Sequence, residues 1–138
     1  MKQKKPVKIT VDTDILVSMY VFPAGVLTGI MNYLDAGRCT IAVSEQIISE
    51  LCAVLRGKFR WEEEKIIRLS QQLRRKYEIV ETKQVVCACS ADPTDDKILE
   101  AAIAYGADYI LSGDKHLLDM KAYKGMKIVS AAELMRRL

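Results

Sequence analysis

The sequence predicts an α/β fold with a mainly parallel central sheet and helices on both of its faces. Short β-type runs alternate with helix-type segments along the chain, which is the pattern of parallel sheets. Two of these runs end near an aspartate: Val7–Val11 leads to Asp12, and Tyr109–Leu111 leads shortly to Asp114. Crossovers between parallel strands are right-handed, so the intervening helices are expected to cover both faces. Both acids would then emerge at the carboxyl edge of the sheet, where open α/β sheets bind their ligands.

Residues 7–37 are predicted to hold a strand followed by two helices. The order is a strand over 7–11, a short helix over 14–21 and a second helix that runs to about Ala36. Pro23 and Gly25 break the first helix, because proline lacks an amide proton and glycine favours irregular backbone. Gly37 closes the second helix, since glycine adopts the positive φ of a helix C-terminus without a steric cost.

Residues 40–86 continue the alternation with longer helices. The order is a strand over 40–43, a helix from Ser44 to about Arg56, an amphipathic helix over 62–76, and short strands over 78–80 and 85–86. The hydroxyl of Ser44 suits a helix N-cap, and Gly57 ends that helix. The amphipathic helix carries Ile66, Leu69 and Leu73 at helical spacing, with charges elsewhere.

The last third of the chain begins with a strong helix start. Asp92 has the chemistry of an N-cap, Pro93 suits the first helical position, and Asp95 stands where a capping box places an acid. The order that follows is a helix to Tyr105 stopped by Gly106, a strand over 108–111, a short helix over 115–120, a strand over 127–129 and a C-terminal helix capped by Ser130. A length of 138 residues suits one domain over 1–138.

Composition excludes several classes of protein. The net charge of +3 is too small on its own to indicate a nucleic-acid partner. The four cysteines form no C-x-x-C pair and His116 is the single histidine, so the sequence argues against a zinc site. No apolar run approaches the roughly 20 residues of a membrane span, and the N-terminus does not resemble a signal peptide. We therefore expect a cytoplasmic protein with no membrane partner.

Four acids have no local structural explanation. Asp12 and Asp114 follow strands, Glu50 flanks the apolar stripe of its helix, and Asp96 is surplus to the cap of the next helix. Carboxylates gathered in one pocket raise each other's pKa, and a hard divalent cation removes that conflict. Such ions activate water and stabilise displacement at phosphorus. The residues alone thus predict phosphoryl chemistry assisted by Mg²⁺ or Mn²⁺.

Four motifs carry a resemblance to a known family. They are V-D-T-D-I-L-V-S at 11–18, S-E-Q-I-I-S-E-L at 44–51, D-P-T-D-D-K-I-L-E-A-A at 92–102 and G-A-D-Y-I-L-S-G-D-K-H-L-L at 106–118. In this order they resemble the PIN-domain nucleases, and especially the VapC-like toxins of toxin–antitoxin systems. The resemblance extends over nearly the whole chain, through the segment at 124–130, and the last two motifs together are the most specific.

The resemblance implies a three-layer α/β/α sandwich and a Mg²⁺- or Mn²⁺-dependent endoribonuclease. The family's acids fall on Asp12, Glu50, Asp96 and Asp114, and the metal would be held by Asp12, Asp96 and Asp114. Asp95 is the alternative for the third acid, but the spacing to Asp114 and the capping role of Asp95 favour Asp96. The small hydroxyl residue that supports the acids matches Ser112. Asp14 stands where the family usually has asparagine, either as an added ligand or as a nearby charge without a catalytic part.

The resemblance also implies partners. The substrate would be single-stranded RNA, and the stretch 56–61 could guide it through basic and aromatic side chains. The alternative is that Phe59 and Trp61 anchor a loop in the core. A cognate antitoxin would lay a helix into an apolar groove built by residues 14–36 and 62–76, and a homodimer is a family expectation.

Three other functions compete with this one. A haloacid-dehalogenase-like phosphatase would use D-T-D at 12–14 and G-D-x₄-D at 113–119, but it leaves Glu50 and Asp96 unexplained. A receiver-like domain needs a phosphoacceptor aspartate around 50–60, where only Glu50 is near. A catalytically silent PIN module that only binds a partner is the third, and the presence of all four acids counts against it.

Overall fold

The computed structural model of the protein describes residues 5–22, 25–82 and 93–138, with only the backbone given over 93–96. Strands and helices alternate along these residues. In chain order they are β1 (Val7–Val11), α1 (Thr13–Val21), α2 (Val26–Asp35), β2 (Cys39–Ser44), α3 (Glu45–Gly57), α4 (Glu63–Lys76), β3 (Glu78–Val80), α5 (Pro93–Tyr105), β4 (Tyr109–Leu111), α6 (Lys115–Met120), β5 (Ala122–Tyr123), β6 (Met126–Val129) and α7 (Ala131–Arg137).

The strands form one sheet in the order β3-β2-β1-β4-β6-β5. Every neighbouring pair is parallel except β5 with β6. The central strand β1 pairs on both sides, so that Ile9 lies opposite Ile41 of β2 and Tyr109 of β4. The predicted α/β fold with a mainly parallel sheet is therefore confirmed, and the carboxyl ends of β1, β2 and β4 lie at one edge.

Helices cover both faces of this sheet. Successive residues of a strand project to opposite faces of the sheet, and in β4 Ile110 belongs to one apolar cluster while Leu111 belongs to the other. The larger cluster receives buried side chains from α1 to α4 and α7, and the smaller one is built mainly from α5, α6 and β6. This arrangement is the three-layer sandwich that the sequence predicts.

Most predicted elements are present, with small shifts at their ends. The antiparallel strand β5 was not predicted, because a two-residue run has no hydrophobic period to detect. The predicted strand at 85–86 and the Asp92 cap lie outside the described residues. In α3 the buried face is formed by Ile47, Ile48, Leu51 and Leu55. Val54 on the same helix is partly buried.

The helices are short. The longest in the described residues is α4, with 14 residues. In that part of the chain, no single helix is both long enough and apolar enough to cross a membrane. The bent pair α1 and α2 meets the two criteria only when both helices are counted together.

One buried polar group in the central strand has no hydrogen-bond partner among the described residues. The hydroxyl of Thr10 is buried, and no described residue forms a hydrogen bond with it. We expect Thr10→Val to raise the free energy of unfolding by about 1 kcal/mol, because a methyl group of the same shape needs no hydrogen bond. Chemical denaturation measures this change, with Thr28→Val on the exposed surface of α2 as the control. A variant no more stable than the wild type would contradict the expectation.

Candidate active site

Three helices begin at the carboxyl edge of the sheet, each just after a strand. Asp12 follows β1 and caps α1, Ser44 ends β2 and caps α3, and Asp114 follows β4 and caps α6. Each side chain accepts a hydrogen bond from a backbone amide of its own helix, and the Asp12 Oδ1 to Ile15 N distance is 2.9 Å. The prediction that Asp12 and Asp114 have no local structural explanation is therefore wrong, because each of them caps the helix that follows its strand.

Ser112 joins the two aspartates. Its hydroxyl Oγ donates to Oδ2 of Asp12 at 2.5 Å and accepts from the backbone amide of Asp114 at 2.9 Å. Ser112 is fully buried, and its own amide donates to Val129 of the neighbouring strand. The hydroxyl therefore holds the carboxylate of Asp12 and the backbone that carries Asp114 in a fixed relation.

The carboxyl group of Asp12 is poorly solvated. Burial raises its pKa from the ordinary value of 3.8 to about 6. The hydrogen bonds from Ser112 and from the amide of Ile15 lower this pKa, while the negative charges of Asp14 and Asp114 raise it. The net rise means that a negative charge at Asp12 is costly in the protein alone.

Glu50 lies on α3 and has a different partner. Its Oε2 accepts from Nζ of Lys97 at 3.0 Å, in an ion pair that joins α3 to α5. The Glu50 side chain is 27% exposed, which agrees with its predicted place beside the buried face of the helix. Sequence reasoning missed Lys97; its position directly after Asp96 and before the apolar Ile98 was the available signal.

The structure describes part of the predicted quartet. Asp12 and Asp114 are linked through Ser112, and Glu50 is paired with Lys97. Asp96 lies in the first turns of α5, and its side chain is outside the described residues. Within the described side chains no three of the types His, Cys, Asp and Glu are grouped closely enough to hold a metal ion. Asp14 is exposed in the first turn of α1.

These residues fit a hard divalent cation in their chemistry. Asp12 is a desolvated carboxylate that feels the charges of Asp14 and Asp114, and among the described residues it has no cationic partner. The available donors are all oxygens, which favours Mg²⁺ or Mn²⁺ over zinc. Asp12 and Asp114, joined by Asp96 from α5, would be the residues to hold such an ion.

The basic and aromatic stretch 56–61 is used within the protein. Phe59 and Trp61 pack against the larger apolar cluster, and Phe59 meets Phe22 edge to face with ring centroids 5.7 Å apart. Arg56 forms two hydrogen bonds with Glu63, and Lys65 lies over the Trp61 ring at 4.0 Å. The contacts favour the alternative in which these aromatic residues anchor a loop in the core.

Comparisons with known proteins give a family match and solved structures of similar fold. A family model described as PIN domain matches residues 8–116. Among solved structures, the chain is similar to PAE2754 from Pyrobaculum aerophilum, with a TM-score of 0.63 and 16% identity over 95% of this chain and 88% of that one. It is also similar to VapBC2 from Rickettsia felis bound to a DNA fragment from their promoter, with a TM-score of 0.65 and 14% identity over 90% of this chain and 98% of that one. No curated protein matches the sequence significantly.

Proposed function

The chain belongs to the PIN-domain family of nucleases, and from this premise we propose that it is a divalent-metal-dependent endoribonuclease. The observation that carries the proposal is the link between Asp12 and Asp114 through the hydroxyl of Ser112. It fixes the carboxylate of Asp12 beside the backbone of Asp114, at the edge of the sheet where α/β folds bind ligands. The raised pKa of Asp12 supports it, because this carboxylate gains most from a nearby cation.

In the proposed site, Asp12, Asp96 and Asp114 would hold Mg²⁺ or Mn²⁺, with Glu50 as a further ligand or as a supporting residue next to the ligands. Such an ion, when bound, would supply an activated water and would neutralise charge at the phosphodiester. Ser112 orients the Oδ2 atom of Asp12. The proposed products carry 5′-phosphate and 3′-hydroxyl ends, and the proposed substrate is single-stranded RNA.

The direct test is cleavage of labelled single-stranded RNA with Mn²⁺ or Mg²⁺. We expect EDTA to stop cleavage, and Asp114→Asn to slow it at least about 100-fold, since even groups that only support a metal ligand cost 10- to 100-fold when removed. The matched control is Asp119→Asn, which removes an exposed carboxylate from the same helix α6 and should leave the rate unchanged.

The other outcomes of this test discriminate between the competing functions. Cleavage that persists with EDTA and in Asp114→Asn would rule out the metal site. Binding of Mn²⁺ in calorimetry without cleavage of any RNA would indicate a catalytically silent PIN module. Formation of an aspartyl-phosphate on Asp12 would favour the phosphatase alternative.

We also propose that the protein is the toxin of a toxin–antitoxin pair that acts in the cytoplasm. The structural similarity to VapBC2 supports an antitoxin partner. Exposed apolar side chains lie on the helices predicted to form the groove, with Phe22 63% exposed after α1, Val26 43% on α2 and Ile67 54% on α4. A helix of the antitoxin would cover such side chains, and a homodimer remains a family expectation. Co-purification with the product of an adjacent small gene is the measurement that checks the partner.

A further inference from the structure

The ion pair between Glu50 and Lys97 lies in an open depression between α3 and α5. The depression has a volume of about 610 Å³ and is lined by residues of α3 together with one residue of α5: Glu45, Gln46, Ser49, Glu50, Ala53 and Lys97. The Lys97 side chain is 41% exposed and that of Glu50 is 27% exposed. Both groups of the pair are thus within reach of a solute.

The other polar side chains of the depression have partners elsewhere. Arg74 donates a hydrogen bond to each carboxylate oxygen of Glu45. The side-chain oxygen of Gln46 accepts a hydrogen bond from the hydroxyl of Thr82 at 3.4 Å. Among the described residues that line the depression, Lys97 is the one cation. Glu50 therefore has a single charged partner there, and that partner directly follows Asp96 in the chain.

This ion pair differs from the others in the residues it uses. The remaining salt bridges of the described residues contain none of the four proposed site acids, as in Arg56 with Glu63 and Arg68 with Glu64. Partly exposed ion pairs contribute little to folding, because water solvates the separated charges well. Lys97 can therefore leave Glu50 at a small cost.

We propose that Lys97 is the displaceable counter-ion of Glu50: it neutralises this carboxylate in the metal-free protein and competes with the divalent cation for it. The inference rests on the proposed function, since it takes Glu50 as part of the metal site. It assigns a positioning role to Lys97, whose ammonium holds the carboxylate of Glu50 until the cation binds.

The test measures Mn²⁺ affinity by calorimetry, without RNA and without turnover. We expect Lys97→Met to bind Mn²⁺ about threefold to fivefold more tightly than the wild type, which is the scale of one partly exposed ion pair. Lys97→Arg keeps the positive charge and should resemble the wild type. On a Glu50→Gln background, Lys97→Met should change the affinity by less than about twofold, because the competition needs both partners.

Three results separate this inference from the proposed function. Wild-type protein that binds no Mn²⁺ and cleaves no RNA would overturn the proposed function and this inference with it. Wild-type binding with unchanged or weaker binding in Lys97→Met would overturn the inference alone. An equal gain on the Glu50→Gln background would also overturn it, since Lys97 would then act on the site through general charge. Thermal unfolding of each variant verifies that the fold is retained.

Discussion

Asp12→Asn is expected to abolish RNA cleavage and, in the same protein without metal, to increase stability at neutral pH. The loss of cleavage follows from removing a proposed metal ligand, and we expect at least about a 100-fold slower rate. The gain in stability follows from burial, because the ionised carboxyl of Asp12 is poorly solvated where it lies. A neutral amide of nearly the same shape avoids this cost and can still accept the hydrogen bond from Ile15.

The pH dependence gives the sign of this effect. Burial raises the pKa of Asp12 from 3.8 to about 6, so the folded protein binds this proton more tightly than the unfolded chain. The contribution of Asp12 to stability is therefore fully present below about pH 4 and is lost as the pH rises to about 6. The loss amounts to at most about 3 kcal/mol, an upper bound because the side chain keeps some contact with water.

Urea unfolding in EDTA, at about pH 4 and about pH 7, measures the difference between wild type and Asp12→Asn. The variant should be the more stable protein at the higher pH, and its advantage should shrink at the lower one. Asp119→Asn, which removes an exposed carboxylate, should show no such advantage. An Asp12→Asn protein that is less stable than wild type at neutral pH would show that the hydrogen bond of Ser112 to Oδ2 outweighs the burial cost.

Ser112→Ala is expected to damage both the site and the fold. The substitution removes the donor to Asp12 and the acceptor of the Asp114 amide, and it leaves that amide without this partner. We expect the free energy of unfolding to fall by about 1–3 kcal/mol, the usual cost of an unsatisfied buried group. Cleavage should slow by about 10- to 100-fold, because the carboxylate of Asp12 loses the group that orients it.

The matched control for this substitution is Ser70→Ala on α4, where the serine is only partly buried. Thermal unfolding and the rate of RNA cleavage are measured for both variants under the same conditions. Wild-type cleavage in Ser112→Ala would mean that the link between Asp12 and Asp114 has no part in the reaction. A loss of the same size in Ser70→Ala would point to a general loss of folded protein.

Residues whose role depends on their immediate neighbours in the chain were predictable. Ser44 follows an apolar run and opens a helical one, so its capping bond to Ile47 could be read directly from the pattern. Similar reasoning predicted that Asp12 and Asp114 lie at one edge of the sheet, because the carboxyl ends of parallel strands lie at the same edge. The short strand β5 was not predicted, because two residues are too few to show a hydrophobic period.

Contacts between distant parts of the chain were not predictable in the same way. The hydrogen bond from Ser112 to Asp12 joins residues 100 positions apart, and the ion pair of Lys97 with Glu50 joins residues 47 positions apart. The stretch 56–61 has the composition of an RNA-binding segment, but the fold packs Phe59 and Trp61 against the core. Composition alone cannot distinguish these two uses, because both favour aromatic side chains.

The sequence by itself determined the class of the fold, the order of most of its elements and the acids that stand at strand ends. These follow from local chemistry, namely the period of apolar residues, glycine and proline breaks, and side chains suited to helix caps. The tertiary structure alone decided that Ser112 joins Asp12 to Asp114, that Lys97 neutralises Glu50 and that burial raises the pKa of Asp12. The physical reason is that partners and solvation depend on which distant residues the packed sheet and helices bring together.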